Sequence, residues 1–197
     1  MKFTFPLCGA LFLGVALPAQ AQQTFAIERS DGHDSRLAEF ASGSGTVAYL
    51  AAGTLLPLLT NKNNGGSQQT LRTVDALIVS TITAEALKNV THEKRPDGSD
   101  FESFPSGHAT AAFTVAAMQA HYHPRQALLW YAGAAAISAS RVTLDRHYTH
   151  DVLAGAALGY FSAQLELGQG RGLVLRPFIR PQAAGNRAVG LSVGGAF

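Results

Sequence analysis

The sequence predicts an all-α helical bundle whose C-terminal tail has room for a short β-hairpin. Of 197 residues, 47% are hydrophobic and only 14% are charged, which is too apolar for a disordered chain and sized for one domain. Apolar side chains recur at helical spacing in the uncharged stretches Ala109–Ala120, Gln126–Ser140 and Val152–Gln164, all shorter than the ~18 residues a membrane span needs. After Gly168-Gln169-Gly170-Arg171-Gly172 the pattern turns β-leaning and partly alternating.

A mean hydropathy of +0.09 is too mild for a chain made mostly of membrane spans. Fifteen Lys plus Arg against thirteen Asp plus Glu give a net charge of +2, with no run of Lys or Arg. A nucleic-acid partner needs a clustered basic face, so that class is excluded.

Met1 and Lys2, the apolar run Phe3–Leu17 and the small residues of Ala19-Gln20-Ala21 have the layout of a secretory leader. Cleavage is expected after Ala21, leaving residues 22–197 as a single domain exported to a bacterial periplasm. Cys8, the single cysteine, goes with the leader, so the mature chain has no disulfide, Cys-based metal site or Cys nucleophile.

Residues 22–35 are polar, and helical spacing begins near Leu37. Phe40–Asn61 carries no charge and has the length of a span, but Gly43, Gly45, Gly53 and Pro57 interrupt it. It reads as a buried helix broken near Pro57, with membrane contact as the other reading. Asn61–Gln69 is the clearest loop. Thr70 then precedes a helix over Leu71–Val90, with Val74, Ile78 and Ile82 at fourfold spacing on one face and the smaller Ala86 continuing that stripe. Thr91–Phe104 is a charged loop. Helices follow at Gly107–His121, Arg125–Ala139 and His150–Leu165, read as core helices. The tail offers strands at Leu173–Ile179 and Ala188–Val193 with a turn at Ala184-Gly185-Asn186, packing on the helices. No internal repeat or second domain is visible.

Three clusters between Lys88 and Asp151 carry chemistry: Lys88 with Arg95-Pro96, Pro105-Ser106-Gly107-His108, and Ser140-Arg141 with His147 and Asp151. Taken singly, each has an ordinary structural reading. Lys88 suits a helix C-terminus, Pro-Ser-Gly suits a helix start, and His147 with Asp151 suits a surface pair. Together they describe an anion site. Lys88, Arg95 and Arg141 supply cations, Arg with a fork that matches phosphate oxygens. Ser106 and Gly107 open a helix whose free N–H groups attract an anion, and Gly107 lets the backbone come close. Asp151, one turn after His147, can fix the ring tautomer and leave the other nitrogen free to attack. His108 has no acidic neighbour in sequence and suits the proton donor to a leaving oxygen. The combination points to phosphoryl transfer through a phosphohistidine, with the cations neutralising the transferring group; no metal or other cofactor is called for.

These residues resemble the superfamily of type 2 phosphatidic acid phosphatases, bacterial non-specific acid phosphatases and vanadium haloperoxidases. Its signature is Lys-x6-Arg-Pro, then Pro-Ser-Gly-His, then Ser-Arg-x5-His-x3-Asp, and every specified position is present here in order and spacing. The motifs cover residues 88–151, and the flanking helical patterns are compatible with the same fold. The resemblance implies a helical bundle of the acid phosphatase/vanadium haloperoxidase type with its active site at helix ends. It implies His147 as nucleophile oriented by Asp151, His108 as general acid, and Lys88, Arg95, Ser106, Gly107 and Arg141 around the phosphate, with Ser140 supporting. The short link Asp97–Phe104 leaves no room for an inserted span or capping domain, as in the small exported members.

Other residues are left outside the site. His121 and His123 belong to a helix end, His33 and His92 to loops, and the His150 ring is expected to point off the His147–Asp151 face. Glu93 and Lys94 read as a solvated charged turn, while Asp97 and Asp100 lie near the site loop and could tune substrate choice.

The leading expectation is a phosphatase acting on a phosphomonoester or diphosphate. A lipid phosphate such as phosphatidic acid or a polyprenyl diphosphate is slightly favoured, with contact to a membrane surface. A soluble, non-specific periplasmic acid phosphatase is the alternative. Vanadate-dependent halide oxidation and a non-catalytic anion-binding module are remote. The module would need a lost nucleophile or acid, and both histidines are present.

Overall fold

A computed structural model of the chain describes residues 32–61, 65–169, 172, 175–181 and 187–193; the expected leader lies outside the described residues. Helix α1 (Gly32–Phe40) runs into a π turn (Ala41–Gly45) where Gly43 leaves helical backbone at φ −101°, ψ −107°. Four long helices and their partner α2 (Thr46–Thr60) follow: α3 (Gly66–Thr91), α4 (Gly107–Tyr122), α5 (Ala127–Thr143, after a 3-10 turn at Pro124–Gln126) and α6 (Thr149–Gly168). Strands β1 (Leu175–Pro181) and β2 (Arg187–Val193) close the chain as an antiparallel hairpin, in register from Leu175 opposite Val193 to Pro181 opposite Arg187. The all-α bundle with a terminal hairpin is as the sequence predicts; the expected turn at 184–186 lies outside the described residues.

Helix α4 is the centre, packed against α6, α5, α3 and α2. Small side chains make that possible. Gly155 and Gly159, one turn apart on α6, sit directly on α4. A Cβ at Gly155 would lie 2.5 Å from the Ser106 carbonyl oxygen, and one at Gly159 would lie 2.2 Å from that of Thr110. Ala76, Ala84, Ala109, Ala112, Ala116, Ala117, Ala134 and Ala163 fill the rest of the interior with Met118, Val115 and Ile137.

The distribution of large apolar residues is the reverse of the expectation. Helix α3 buries Thr70, Thr73, Asp75, Ala76, Ser80 and Ala84, while Ile82 on its apolar stripe is 65% exposed. Leu128, Leu129, Leu153, Phe161 and Leu165 on α5 and α6 also face outward. Periodicity located the apolar face correctly but assigned it to the interior, where close helix contact admits only small side chains.

Two further expectations change. The run near Pro57 is neither broken nor a buried helix: α2 continues through Pro57 and turns Val47, Leu55, Leu56 and Leu59 outward. Pro57 has no N–H for the carbonyl of Gly53 four residues earlier. Gln119 of α4, itself buried, replaces that donor with its side-chain amide, Nε2 to O 2.5 Å. Ser35–Thr60 is the one run among the described residues long and apolar enough to cross a membrane, and only 22% of its apolar window is buried. The loop predicted to reach Gln69 ends at Gly65 instead. Gly65 adopts φ +84°, and Gly66 brings its backbone so close that a Cβ would lie 2.0 Å from the Pro57 carbonyl. Two adjacent glycines make this sharp entry to α3 accessible.

Candidate active site

Every sequence-predicted site residue lies at one end of the bundle. Lys88 is in the last turn of α3, Ser106 caps α4, and Gly107 and His108 begin it. Arg141 is near the end of α5, and His147 and Asp151 flank the start of α6. The His108 ring lies within the electrostatic reach of Arg141, His147, Lys88 and Arg95, so the three clusters meet in space.

The start of α4 is fixed from two sides. The Ser106 hydroxyl accepts from the Ala109 N–H at 3.5 Å, and its own N–H donates to the Asp151 carbonyl at 3.0 Å. Lys88 Nζ comes within 3.5 Å of where a Cβ on Gly107 would stand, so glycine keeps the ammonium next to the helix N-terminus. Lys88 pairs with Glu85 at 2.8 Å. Arg95 is oriented by Asp100, Nε to Oδ1 2.6 Å, and Arg146 by Asp97 at 3.0 Å. The two aspartates thus hold the guanidinium groups beside the site.

Arg141 is only 9% exposed. Its Nη1 donates to the hydroxyl of Ser42, which the π turn brings across from the other end of the sequence. Its Nε is buried with no hydrogen-bond partner among the described residues. Burial, with Arg95 and Arg146 adding like charge, draws its pKa down to about 10, so it remains a cation. Ser140 turns its hydroxyl to the Ile137 carbonyl at 2.6 Å, a structural role.

His147 is 2% exposed, and its Nδ1 lies 2.8 Å from the carbonyl oxygen of Ser103. A carbonyl only accepts, so Nδ1 carries the hydrogen and Nε2 the lone pair. Asp151 Oδ2 stands 3.7 Å from Nδ1, an ion-pair distance, while accepting from the Ser103 hydroxyl at 2.5 Å and the Tyr148 N–H at 2.8 Å. Asp151 thus reaches His147 chiefly through Ser103. Sequence reasoning missed Ser103 because it lies two residues before the Pro-Ser-Gly-His motif and acts through its backbone carbonyl as well as its hydroxyl.

His108 has its pKa pushed down to about 4, first by burial and then by Arg141, His147, Lys88 and Arg95. An anion among those cations reverses the larger part of the electrostatic contribution and lets the ring take up a proton.

His150 differs from expectation. Its Nε2 lies 2.8 Å from Glu93 Oε1 and 3.0 Å from Asp151 Oδ1, so neither His150 nor Glu93 is merely solvated. These three residues also offer donor atoms of metal-ligand type within 4.8 Å of one another. His121 ends α4 and stacks edge-on with Tyr122, and His92 caps α3 in the left-handed region at φ 47°.

The PAP2 superfamily matches residues 69–171, more than half of the sequence. The chain belongs to the PAP2 superfamily. Among curated proteins it is similar to the lipid A 1-phosphatase of Porphyromonas gingivalis, 36% identical over 36% of this chain and 17% of that protein. It is similar also to the lipid A 1-phosphatase of Rhizobium johnstonii, 34% identical over 42% of this chain and 40% of that one. It resembles the bacitracin transport permease BcrC of Bacillus licheniformis, 39% identical over 31% of this chain and 30% of that protein. The chain therefore spans less than half the length of these relatives.

Two solved structures share the PAP2 fold. Aquifex aeolicus LpxE superposes with a TM-score of 0.53 at 18% identity, covering 72% of this chain and 98% of that one. The transmembrane PAP2-type phosphatidylglycerolphosphate phosphatase of Bacillus subtilis gives 0.55 at 21% identity, covering 74% and 81%.

Proposed function

We propose that this PAP2 protein is a phosphatase that hydrolyses a lipid-borne phosphomonoester or diphosphate through a phosphohistidine at His147. The observation that carries this reading is the arrangement around His147. Nδ1 is tied to the Ser103 carbonyl, which leaves Nε2 as the nucleophilic nitrogen, and His147 shares with Lys88, Arg95 and Arg141 the surroundings of His108 at the α4 N-terminus.

In the first step Nε2 of His147 forms a bond to phosphorus as the bond to the leaving oxygen breaks, and His108 donates its proton to that oxygen. In the second, water attacks phosphorus, His108 takes the water's proton, and the P–N bond breaks to release phosphate and restore His147. The three cations and the helix N-terminus stabilise the charge on the equatorial oxygens in both steps.

A lipid substrate is favoured by the outer surface. Helices packed through glycine and alanine, with leucine, isoleucine and phenylalanine turned outward, suit contact with a lipid phase rather than water on all sides. The names of the lipid A 1-phosphatase relatives agree with that direction. Together with the leader expected over Met1–Ala21, the outward-facing apolar side chains support a location on the periplasmic side of a bacterial membrane.

The test is phosphate release by the purified mature protein from detergent-dispersed phosphatidic acid, a polyprenyl diphosphate and p-nitrophenyl phosphate, with His147→Ala as control. Lipid turnover that exceeds p-nitrophenyl phosphate turnover and is lost in the variant supports the proposal. A p-nitrophenyl phosphate rate well above both lipid rates makes it a soluble-substrate acid phosphatase. Full activity in His147→Ala overturns the mechanism.

A further inference from the structure

Two carboxylates converge on one ring nitrogen just behind the proposed nucleophile. Glu93, in the loop after α3, and Asp151, on α6, bring Oε1 and Oδ1 to 2.8 and 3.0 Å from Nε2 of His150. The His150 ring is held on its faces by Tyr148, stacked at 5.4 Å, and Phe104 at 6.1 Å. We infer that His150, anchored by Glu93, is a positioning residue: it holds the Asp151 carboxylate that, through Ser103, orients His147. This inference rests on the reading of His147 as nucleophile.

The two oxygens of Asp151 have unequal surroundings. Oδ2 is satisfied by the Ser103 hydroxyl and the Tyr148 N–H. Oδ1 is fully buried and has no hydrogen-bond partner of acceptable geometry among the described residues; His150 Nε2 is the cationic-capable group beside it. A buried carboxylate oxygen without a donor is costly, and the carboxylate relieves that cost by rotating. Rotation weakens the grip of Oδ2 on the Ser103 hydroxyl. The Ser103 carbonyl that receives His147 Nδ1–H then moves with it. The His150 ring, tethered by its hydrogen bond to Glu93 with Nε2 3.0 Å from Oδ1, packs against that oxygen and limits the rotation.

The same three donor atoms could instead hold a divalent cation. The 2.8 Å separation of His150 Nε2 from Glu93 Oε1 is already a hydrogen-bond distance, so His150 and Glu93 satisfy one another as they stand. His150 and Glu93 are 36% and 33% exposed at their side chains, so substitutions there leave the packed interior intact.

The experiment compares His150→Ala, His150→Gln and Glu93→Gln with wild type in the mature protein, measuring kcat and KM on the best substrate in EDTA and in added Zn2+. In parallel, 15N NMR reads the tautomer of the His147 ring. His150→Ala is expected to lower kcat on the order of 10-fold with KM little changed, as outer-shell partners of reactive histidines do. His150→Gln, which keeps an N–H donor, should recover most of that loss, and Glu93→Gln should fall between. The Nδ1–H form of His147 should lose population in His150→Ala. Unchanged kcat together with an unchanged His147 spectrum in His150→Ala overturns the inference. Wild-type activity that EDTA removes and Zn2+ restores, with no such response in His150→Ala, overturns it in favour of a metal site. If the wild type releases no phosphate from any substrate, the functional proposal fails, and the His147 spectrum alone then decides whether His150 positions that ring.

Discussion

The carbonyl oxygen of Ser103 lies 2.8 Å from Nδ1 of His147, nearer than the Asp151 carboxylate at 3.7 Å. Asp151 instead grips the hydroxyl of the same serine at 2.5 Å. Orientation of the nucleophile therefore passes from carboxylate to serine to imidazole. Asp151→Asn keeps one acceptor oxygen for Ser103 and Tyr148 but puts an NH2 in place of the other and removes the negative charge beside His147. It is expected to lower kcat by roughly 10³–10⁴, the range seen when a carboxylate that holds a catalytic histidine is neutralised. Ser103→Ala keeps the carbonyl but loses the hydroxyl that links Asp151 to it, so its kcat should fall by a large part of the same factor. A near-wild-type kcat in Ser103→Ala would show that Asp151 acts on His147 directly across 3.7 Å.

Arg141 is one of the proposed phosphate ligands. Its buried Nε has no hydrogen-bond partner among the described residues and its Nη1 is steadied by Ser42, an arrangement suited to an anion. Arg141→Ala should cost about 2–4 kcal/mol of transition-state stabilisation in kcat/KM. Arg141→Lys should recover only part of it, because an ammonium cannot reproduce the planar fork. An unchanged kcat/KM in Arg141→Ala removes this residue from the clamp.

His108 gives a prediction in pH. Its pKa near 4, below the ordinary 6.5, means that the folded ligand-free protein keeps the ring neutral where the unfolded chain protonates it. The stability associated with that neutral ring is fully present above pH 6.5 and is lost as pH falls towards 4. Thermal unfolding of the ligand-free protein should show a falling Tm across that window, with a shallower fall in His108→Gln. Kinetically, His108→Gln should damage hydrolysis of an alkyl phosphate far more than that of p-nitrophenyl phosphate, whose leaving group needs little help from an acid. Identical losses on both substrates would rule out the general-acid role.

How much of this was readable beforehand depends on the kind of residue. The helices were legible because their apolar spacing is strong. The site was legible because Lys88, Arg95, His108, Arg141, His147 and Asp151 carry side chains whose chemistry is narrow at those spacings. Ser103, Glu93 and His150 were not, since their roles come from contacts across 44 to 57 residues of sequence that no local pattern encodes. The facing of α3 was not legible for a different reason. Val74, Ile78 and Ile82 form an apolar stripe, but periodicity alone does not say whether a stripe points to the bundle or away from it. Here Thr73, Ser80 and Ala84 face the bundle, where only small side chains let α3 reach α4 and α6.

The α4–α6 contact offers a prediction about packing. The Cβ of Gly159→Ala would start 2.2 Å from the Thr110 carbonyl and 2.8 Å from the Thr114 N–H, both backbone atoms that cannot swing aside. The helices must separate, at a cost of about 1–3 kcal/mol or more for such overpacking. Because α6 begins with Asp151 and α4 begins with Ser106, separation also disturbs the Ser106 N–H to Asp151 carbonyl bond. The variant should therefore lose both Tm and kcat. Gly168→Ala, with nothing within 4 Å of its Cβ, should change neither and serves as the control.

Gln119 and Pro57 form a compensating pair whose removal should be asymmetric. Proline leaves the Gly53 carbonyl without its helical donor, and the buried Gln119 amide supplies one. Gln119→Ala strands that carbonyl in the interior and should destabilise the fold by about 1–3 kcal/mol. Pro57→Ala restores the N–H of α2, so in that background Gln119→Ala should cost measurably less. The double-mutant cycle, read from denaturation midpoints, isolates the coupling. Additive losses would mean that Gln119 stabilises the bundle by packing alone, and the carbonyl of Gly53 would need another explanation for tolerating Pro57.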